Sequence, residues 1–315
     1  MSQPTITGSS FSGKAAGFYI SAALKEAKSL EFLTPIENIK FKSVIQKMSH
    51  GTDAGGEGLV RNATCDFDSQ GKLELTERVL EPKLLQINLD LCKKNLLSSW
   101  EALEMRAGAG APPPPSFEDY VISYMAEIIA NGVETSIWNG AGGTNGQFQG
   151  FLDTNGFLLP TGTNADTTVI QSSASGAYDA SNIIANLQTL TADMAANISP
   201  ILRKEDLYIY MNSKTYSLYI SAVSTLGYVN AYNMNGDYEP VFEGYKIAVC
   251  PGMVDNQLVA AERSNLFFGT DLISDHTRIN LLDMANLDGS DNMRLVAKYS
   301  AGVQSGVGAD IVRQS

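Results

Sequence analysis

IENIKFKSVIQKMSH (residues 36–50), GTDAGGEGLVRNATCDFDSQG (51–71) and KLELTERVLEPKLLQINLDL (72–91) read together as a single long β-hairpin over Ile36 to Leu91. The outgoing limb alternates Ile39, Phe41, Ser43 and Ile45 with Lys40, Lys42 and Gln46. The returning limb alternates Leu73, Leu75 and Val79 with Glu74, Thr76 and Arg78. A period of two is that of strands with one apolar face. Pro82 cannot donate a ladder hydrogen bond and marks a bulge or an edge, after which Leu85, Ile87, Leu89 and Leu91 alternate with Gln86, Asn88 and Asp90. Between the limbs, His50 to Gly58 is glycine-rich and predicts a mobile tip. At about 3.3 Å per residue each limb reaches roughly 40 Å, close to the diameter of a globule of this length. An isolated two-stranded ribbon is marginal in water. Its apolar face must therefore be covered by this chain's own core, as in most hairpins, or by a neighbouring copy, although few hairpins are this long and this glycine-rich at the tip.

Composition bounds the rest. With 315 residues and 44% hydrophobic content there is ample material for a packed core, in one large or two modest domains. No stretch is long and apolar enough to cross a membrane, and no basic-then-apolar signal peptide opens the chain, which predicts a soluble protein made without export. Cys65, Cys92 and Cys250 match no zinc spacing and read as free thiols in a reducing compartment. A formal charge of −12 and a pI near 4.6 argue against a surface that grips nucleic acid through many phosphates.

A polar arm at Ser2–Gly13 precedes a short helix within Ala15–Leu33, and a further helix is expected over Leu96–Met105. Ala107–Pro115 ends in four prolines, a stiff connector. A strong helix follows over Ser116–Gly140, with Ser116 as N-cap, Asp119 in the capping-box position, and Phe117, Val121, Tyr124 and Ile128 recurring beside Tyr120, Met125 and Ile129. Beyond it the pattern predicts a tight hairpin over Gln149–Leu159 and a strand at Thr167–Gln171. A helix capped by Ser181 then runs to Asn197, and another covers Ser213–Ser224. Strands are expected at Leu207–Met211, Tyr245–Val249, Leu258–Ala261, Arg278–Asp283 and Asn292–Val303. Elements that neither alternate strictly nor segregate indicate an α+β fold.

The search for chemistry returns absences. Gly8–Lys14 has the spacing of a phosphate-binding loop, yet Ala15 stands where the magnesium-binding hydroxyl belongs and no strand precedes it. His50 and His276 are the only imidazoles, and neither neighbours a nucleophile or metal motif in sequence. Asp283, Asn286, Asp288, Gly289 and Asp291 miss the register of a calcium loop and read as a turn between strands. No catalytic, cofactor-binding or metal-ligating residue is therefore assigned, and no cofactor is expected.

The order of these features resembles the major capsid proteins of tailed phages, the Hong Kong 97-type fold. Asp206-Leu-Tyr-Ile-Tyr-Met-Asn-Ser-Lys-Thr-Tyr216 resembles the strand-then-helix opening of that family's axial domain. Gly244-Tyr-Lys-Ile-Ala-Val249 is similar to its G-x-x-I-x-V strand, and Asn265-Leu-Phe-Phe-Gly-Thr-Asp271 to its N-L-x-x-G-x-D turn. Met293–Gly308 is similar to the late strands that return to the peripheral domain. The resemblance runs from about Thr5 onward and rests on the order of these motifs.

The resemblance implies an N-terminal arm (1–35), an extended hairpin loop (36–91), a peripheral domain (92–180 and 272–315) with spine helix 116–140, and an axial domain (181–271). It implies self-assembly into hexamers and pentamers of an icosahedral head around double-stranded DNA, in a virion built in the host cytoplasm. Ile39, Phe41, Ile45, Leu73, Leu75 and Val79 would contact a neighbouring subunit. Since only about 35 residues precede the loop, the scaffold is expected to be a separate protein, alongside a portal. Packaged DNA would be contacted weakly, and no membrane is involved. The tip His50–Gly71 contains no lysine, only Lys47 and Lys72 flanking it, which predicts a shell without covalent cross-links. An encapsulin-like compartment shell shares the fold, though the polar arm in place of an amphipathic cargo-facing helix favours the phage. A soluble hydrolase is disfavoured by the missing constellations, and a tail or decoration protein by the long helix.

Overall fold

The computed structural model describes residues 28–51, 65, 72–92, 115–173, 176–225, 240–271, 279–284, 289–290 and 292–315. The arm Ser2–Gly13, the spacing Gly8–Lys14, the helix expected over Leu96–Met105, most of the glycine tip and His276 lie outside these residues. So does the first part of the helix expected within Ala15–Leu33, whose end is a 3-10 turn over Lys28–Phe32.

In chain order the elements are β1 (Thr34–Ile36), β2 (Ser43–Gly51), β3 (Lys72–Leu80), β4 (Lys83–Cys92), α1 (Pro115–Asn139), β5 (Ile170–Ser172) and α2 (Ile183–Asn197). There follow β6 (Leu207–Met211), α3 (Ser213–Thr225), β7 (Val241–Phe242), β8 (Tyr245–Val249), β9 (Leu258–Glu262), β10 (Leu266–Gly269), β11 (Ile279–Asp283), β12 (Asn292–Ser305) and β13 (Val312–Gln314). The mixture is α+β, as the sequence predicts.

Six strands, in the order β5-β13-β9-β6-β8-β7, form a mixed sheet buried on both faces. Along β6, Leu207, Ile209 and Met211 enter one core while Tyr210 enters the other, and β9 divides Leu258 and Ala260 from Val259 and Ala261 in the same way. The unbroken apolar runs LYIYM and LVAA are what two-sided burial requires. β6 and β8 are parallel, the arrangement that needs a crossover, and α3 lies between them in the chain. One core is closed by α2, whose Ile183, Leu187, Leu190 and Met194 recur every three or four residues on its buried face. The other is closed by α1 through Ile129, Val133, Ile137 and Trp138, packed with Phe148, Phe151 and Phe268. Ile128 and Met125 are half-buried beside this face, and the side chains of Phe117, Tyr120, Val121 and Tyr124 lie outside the described residues.

The second sheet is organised by the 14-residue strand β12. It pairs antiparallel with β4 through Asn292–Ala301, with β11 through Met293–Ala297 and with β10 through Gly302–Ser305, and β10 carries β1 in parallel. Met293, Leu295, Ala297, Tyr299 and Ala301 are buried, while Arg294 and Lys298 on the alternate face are exposed.

Several expectations are corrected. The single hairpin over Ile36–Leu91 is two pieces: β2 and β3 pair with each other, whereas β4 leaves the ribbon at Pro82 and pairs along its length with β12. Pro82 cannot continue the ladder, and β4's period of two suits any antiparallel partner with an apolar face. The sheets also divide the chain differently from the boundaries 181 and 271, because β5 and β13 join the strands of 207–262 while β10 joins β12. Gln149–Leu159 forms the expected turn, with Gly156 N–H donating to Asp153 O at 2.6 Å and Leu158 N–H to Phe151 O at 3.0 Å, but no strands flank it. A Cβ at Gly156 would stand 2.4 Å from Phe151 O, so the turn tolerates only glycine there. The cap of α2 is supplied by Asp179, which accepts from Ser181 N–H at 2.8 Å and Oγ–H at 2.6 Å and from Asn182 N–H at 3.0 Å. α1 begins at Pro115 rather than after Ser116, since proline's fixed φ suits a first helical turn.

Candidate assembly surface

Register decides what the ribbon presents. Val44 stands opposite Val79, Gln46 opposite Glu77, Met48 opposite Leu75, and His50 opposite Leu73. Directly opposed residues share a face. Val44, Met48, Leu73, Leu75 and Val79 therefore form one apolar face, crossed midway by Gln46 and Glu77, and these five side chains are 40–65% exposed. Removing a half-exposed side chain of this size from water is worth roughly 1–2 kcal/mol, so the face holds on the order of 5–10 kcal/mol before association costs.

Of the six residues proposed from sequence, Leu73, Leu75 and Val79 lie on this face. Ile45 stands opposite Arg78 on the reverse face. Ile39 is buried in the chain's own core, its N–H donating to Thr270 O at 3.2 Å. Phe41 precedes β2 and is 71% exposed, with the Lys42 ammonium 5.2 Å from its ring centre. Sequence reasoning missed Val44 and Met48. Apolar residues are spread over both parities of the outgoing limb, and only the pairing with Leu75 and Val79 selects one of them.

The ribbon's root is anchored. Leu80 is fully buried, and Gln304 Nε2 donates to Val79 O at 2.9 Å. Arg78 forms an ion pair with Oδ2 of Asp166, whose Oδ1 accepts from Thr168 N–H at 3.0 Å and Oγ1–H at 2.6 Å. Lys83 Nζ donates to the carbonyls of Gly142 at 3.1 Å, Thr144 at 3.4 Å and Gln147 at 2.9 Å, tying the start of β4 to the loop after α1. Beside the root, an open cleft of about 380 Å3 is lined by Val79, Pro82, Phe148 and Val303 together with Glu81, which is paired with Lys42, and Lys83, which is held by the three carbonyls.

The most chemically suggestive cluster is sealed. Glu134 on α1 accepts from Ser29 N–H at 3.0 Å, Ser29 Oγ–H at 2.6 Å and Gly252 N–H at 2.9 Å, and Trp138 Nε1–H donates to Ser29 Oγ at 2.6 Å. Ser29, Glu134 and Cys250 are all fully buried. Burial pushes the Cys250 thiol far above its ordinary value, with Glu134 adding to the rise and a hydrogen bond with Ser29 opposing it. A carboxylate saturated by donors and a thiol held neutral, both cut off from solvent, make a structural clasp between α1, the Lys28–Phe32 turn and the 250–253 turn. Among the described residues no cluster of His, Cys, Asp and Glu is arranged to hold a metal ion, and no helix is long and apolar enough to cross a membrane.

No protein-family model and no curated protein matches the chain. Solved structures do. The capsid of a native GTA particle aligns at a TM-score of 0.59 and 16% identity, covering 94% of this chain and 92% of that one. The capsid of Myoviridae phage XM1 aligns at 0.60 and 11%, covering 95% and 94%, and that of cyanophage P-SCSP1u at 0.55 and 12%, covering 96% and 92%. Agreement over nearly the full length of both partners means that the chain has the Hong Kong 97-type capsid fold of the tailed phages.

Proposed function

We propose that this chain is the major capsid protein of a tailed phage, assembling through hexamers and pentamers into an icosahedral head around double-stranded DNA. The observation that carries the reading is the ribbon: firmly anchored at its root, it holds an exposed apolar face away from its own core, which is useful only if another copy covers it. In this reading β2 and β3 are the extended loop, and α1 with the β12 sheet forms the peripheral domain. The six-stranded sheet with α2 and α3 forms the axial domain at the capsomer centre. Its role is structural, without catalysis. A separate scaffolding protein and a portal complete the assembly, and the charge of −12 keeps contact with packaged DNA weak. Negative-stain microscopy and light scattering of the full chain, alone and with its scaffold, test this. Capsomer rings or closed shells are expected, and a persistent monomer in both conditions would sink the reading.

A further inference from the structure

Asn131-Gly132, Asn139-Gly140, Asn145-Gly146 and Asn155-Gly156 all lie within the described residues, and they differ in what holds the glycine nitrogen. Asparagine is chemically labile, and a following glycine has no side chain to shield its backbone nitrogen from the neighbouring side-chain carbonyl carbon. Attack needs that nitrogen free of other bonds. Gly132 lies within α1, where its N–H is bonded along the helix. Gly140 N–H donates to Ser136 O at 3.1 Å, and a Cβ there would stand 2.1 Å from Phe148 O. Gly156 N–H donates to Asp153 O at 2.6 Å, while Asn155 Oδ1 accepts from Thr163 N–H at 3.4 Å. Gly146 differs from all three. Its N–H has no acceptor among the described residues, Asn145 and Gly146 are both exposed, and a Cβ on Gly146 would meet nothing within 4 Å. The pair forms the corner of a turn closed by Gln147 N–H to Thr144 O at 3.4 Å, with a φ of +81° at Gly146 that suits glycine. The same corner grips the ribbon's root, because Lys83 Nζ donates to the carbonyls of Thr144 and Gln147 on either side of the pair.

We propose that Asn145-Gly146 is a site of spontaneous deamidation whose conversion loosens the loop's hold on Lys83 at the start of β4. The Gly146 amide nitrogen gives its proton to solvent base and bonds to Asn145 Cγ. The Cγ–Nδ2 bond breaks and ammonia leaves, so that a cyclic succinimide remains. Water then opens the ring at either carbonyl, giving aspartate or isoaspartate at position 145. The net change is a water consumed and an ammonia released, with no change of oxidation state. Both products add a negative charge to the loop. Isoaspartate also routes the main chain through the side-chain carbon and lengthens it between the Thr144 and Gln147 carbonyls, which then no longer converge on one ammonium. The site is present in the single chain and owes nothing to assembly.

Incubating the full chain in mildly alkaline buffer and mapping its peptides by mass spectrometry over time reads the four sites side by side. Asn145 is expected to convert about tenfold or more faster than Asn131, Asn139 or Asn155, because those three must first open a hydrogen-bonded turn or helix. Protein isoaspartyl methyltransferase with labelled S-adenosylmethionine should place its label on the peptide carrying residue 145, and Asn145→Ala should remove the label from that peptide. Hydrogen exchange at Leu84 and Leu85 should be several-fold faster in the incubated parent than in the incubated Asn145→Ala variant. Equal conversion at the four sites would overturn the modification site. A fast Asn145 with unchanged exchange at Leu84 and Leu85 would overturn the loosened grip. Both outcomes leave the capsid reading intact, and failure of the chain to assemble would leave this site standing.

Discussion

Met48 and Leu75 stand directly opposite one another on the ribbon, 65% and 61% exposed, while Lys47 and Thr76, one position along each strand, face each other on the reverse side. On the assembly reading proposed above, function divides along that parity. Met48→Glu or Leu75→Glu should cut particle yield by about tenfold or more, since each places a charge in a contact that requires desolvation. Thr76→Glu, one residue away on the other face, should assemble like the parent. Sedimentation of matched preparations measures the difference, and equal loss in all three variants would contradict the register.

Asp166 has 1% of its side chain exposed and draws its counter-charge from Arg78, itself one-third exposed. Arg78→Met leaves a buried carboxylate without its partner and should cost about 2–3 kcal/mol, below the full value for a sealed pair because Arg78 is partly hydrated. The urea midpoint of the unassembled protein reports the loss. Hydrogen exchange should rise first at the ribbon root, near Val79 and Leu80.

A Cβ at Gly252 would stand 2.1 Å from Glu134 O, so Gly252→Ala must push the 250–253 turn away from α1 and break the Gly252 N–H to Glu134 bond. We expect a loss of about 3 kcal/mol or more. Glu134→Gln keeps the shape but turns one amide N–H2 toward a donor, costing about 1–3 kcal/mol. Thermal melts should rank Gly252→Ala below Glu134→Gln and both below the parent.

Burial pushes the Tyr178 phenol from its ordinary value of 10.0 up to about 12, with Arg313 nearby pulling the other way. Folding thus favours the neutral phenol. The stability linked to it is fully present below pH 10 and is lost as pH rises through about 12. Tyr178→Phe should be slightly less stable at neutral pH, lacking the 3.5 Å bond from the hydroxyl to Gln314, and should fall less steeply than the parent over that alkaline window. Denaturant midpoints for both proteins across the window give the comparison.

The lysine-free tip between His50 and Gly71 predicts that particles boiled in SDS run as a single band near 33.8 kDa. A ladder of linked subunits would show that Lys47, Lys72 or another lysine cross-links.

Much of the scaffold was legible in the residues. LYIYM at 207–211 and YKIAV at 245–249 occupy the strands expected of them, and Ile183, Leu187, Leu190 and Met194 mark the buried face of α2, because local period and burial are coupled along one element. Caps and termini moved by a residue or two, as with Asp179 for Ser181, because several nearby side chains compete for the same free N–H groups.

What the sequence by itself determined was which segments are strands and helices, the apolar alternation of the ribbon, and the absence of a catalytic motif. The tertiary structure alone decided which residues of the ribbon share a face, that β4 belongs to β12, and that Ile39 is core rather than contact surface. The reason is that a strand's pattern has period two whatever its partner, and a shift of one residue between strands exchanges every inward side chain for an outward one. Alternation is a property of a segment, whereas a shared face is a property of a pair, and pairing across the long insertion between β2 and β3 is set by packing at the root, where Leu80, Arg78 and Gln304 hold the register.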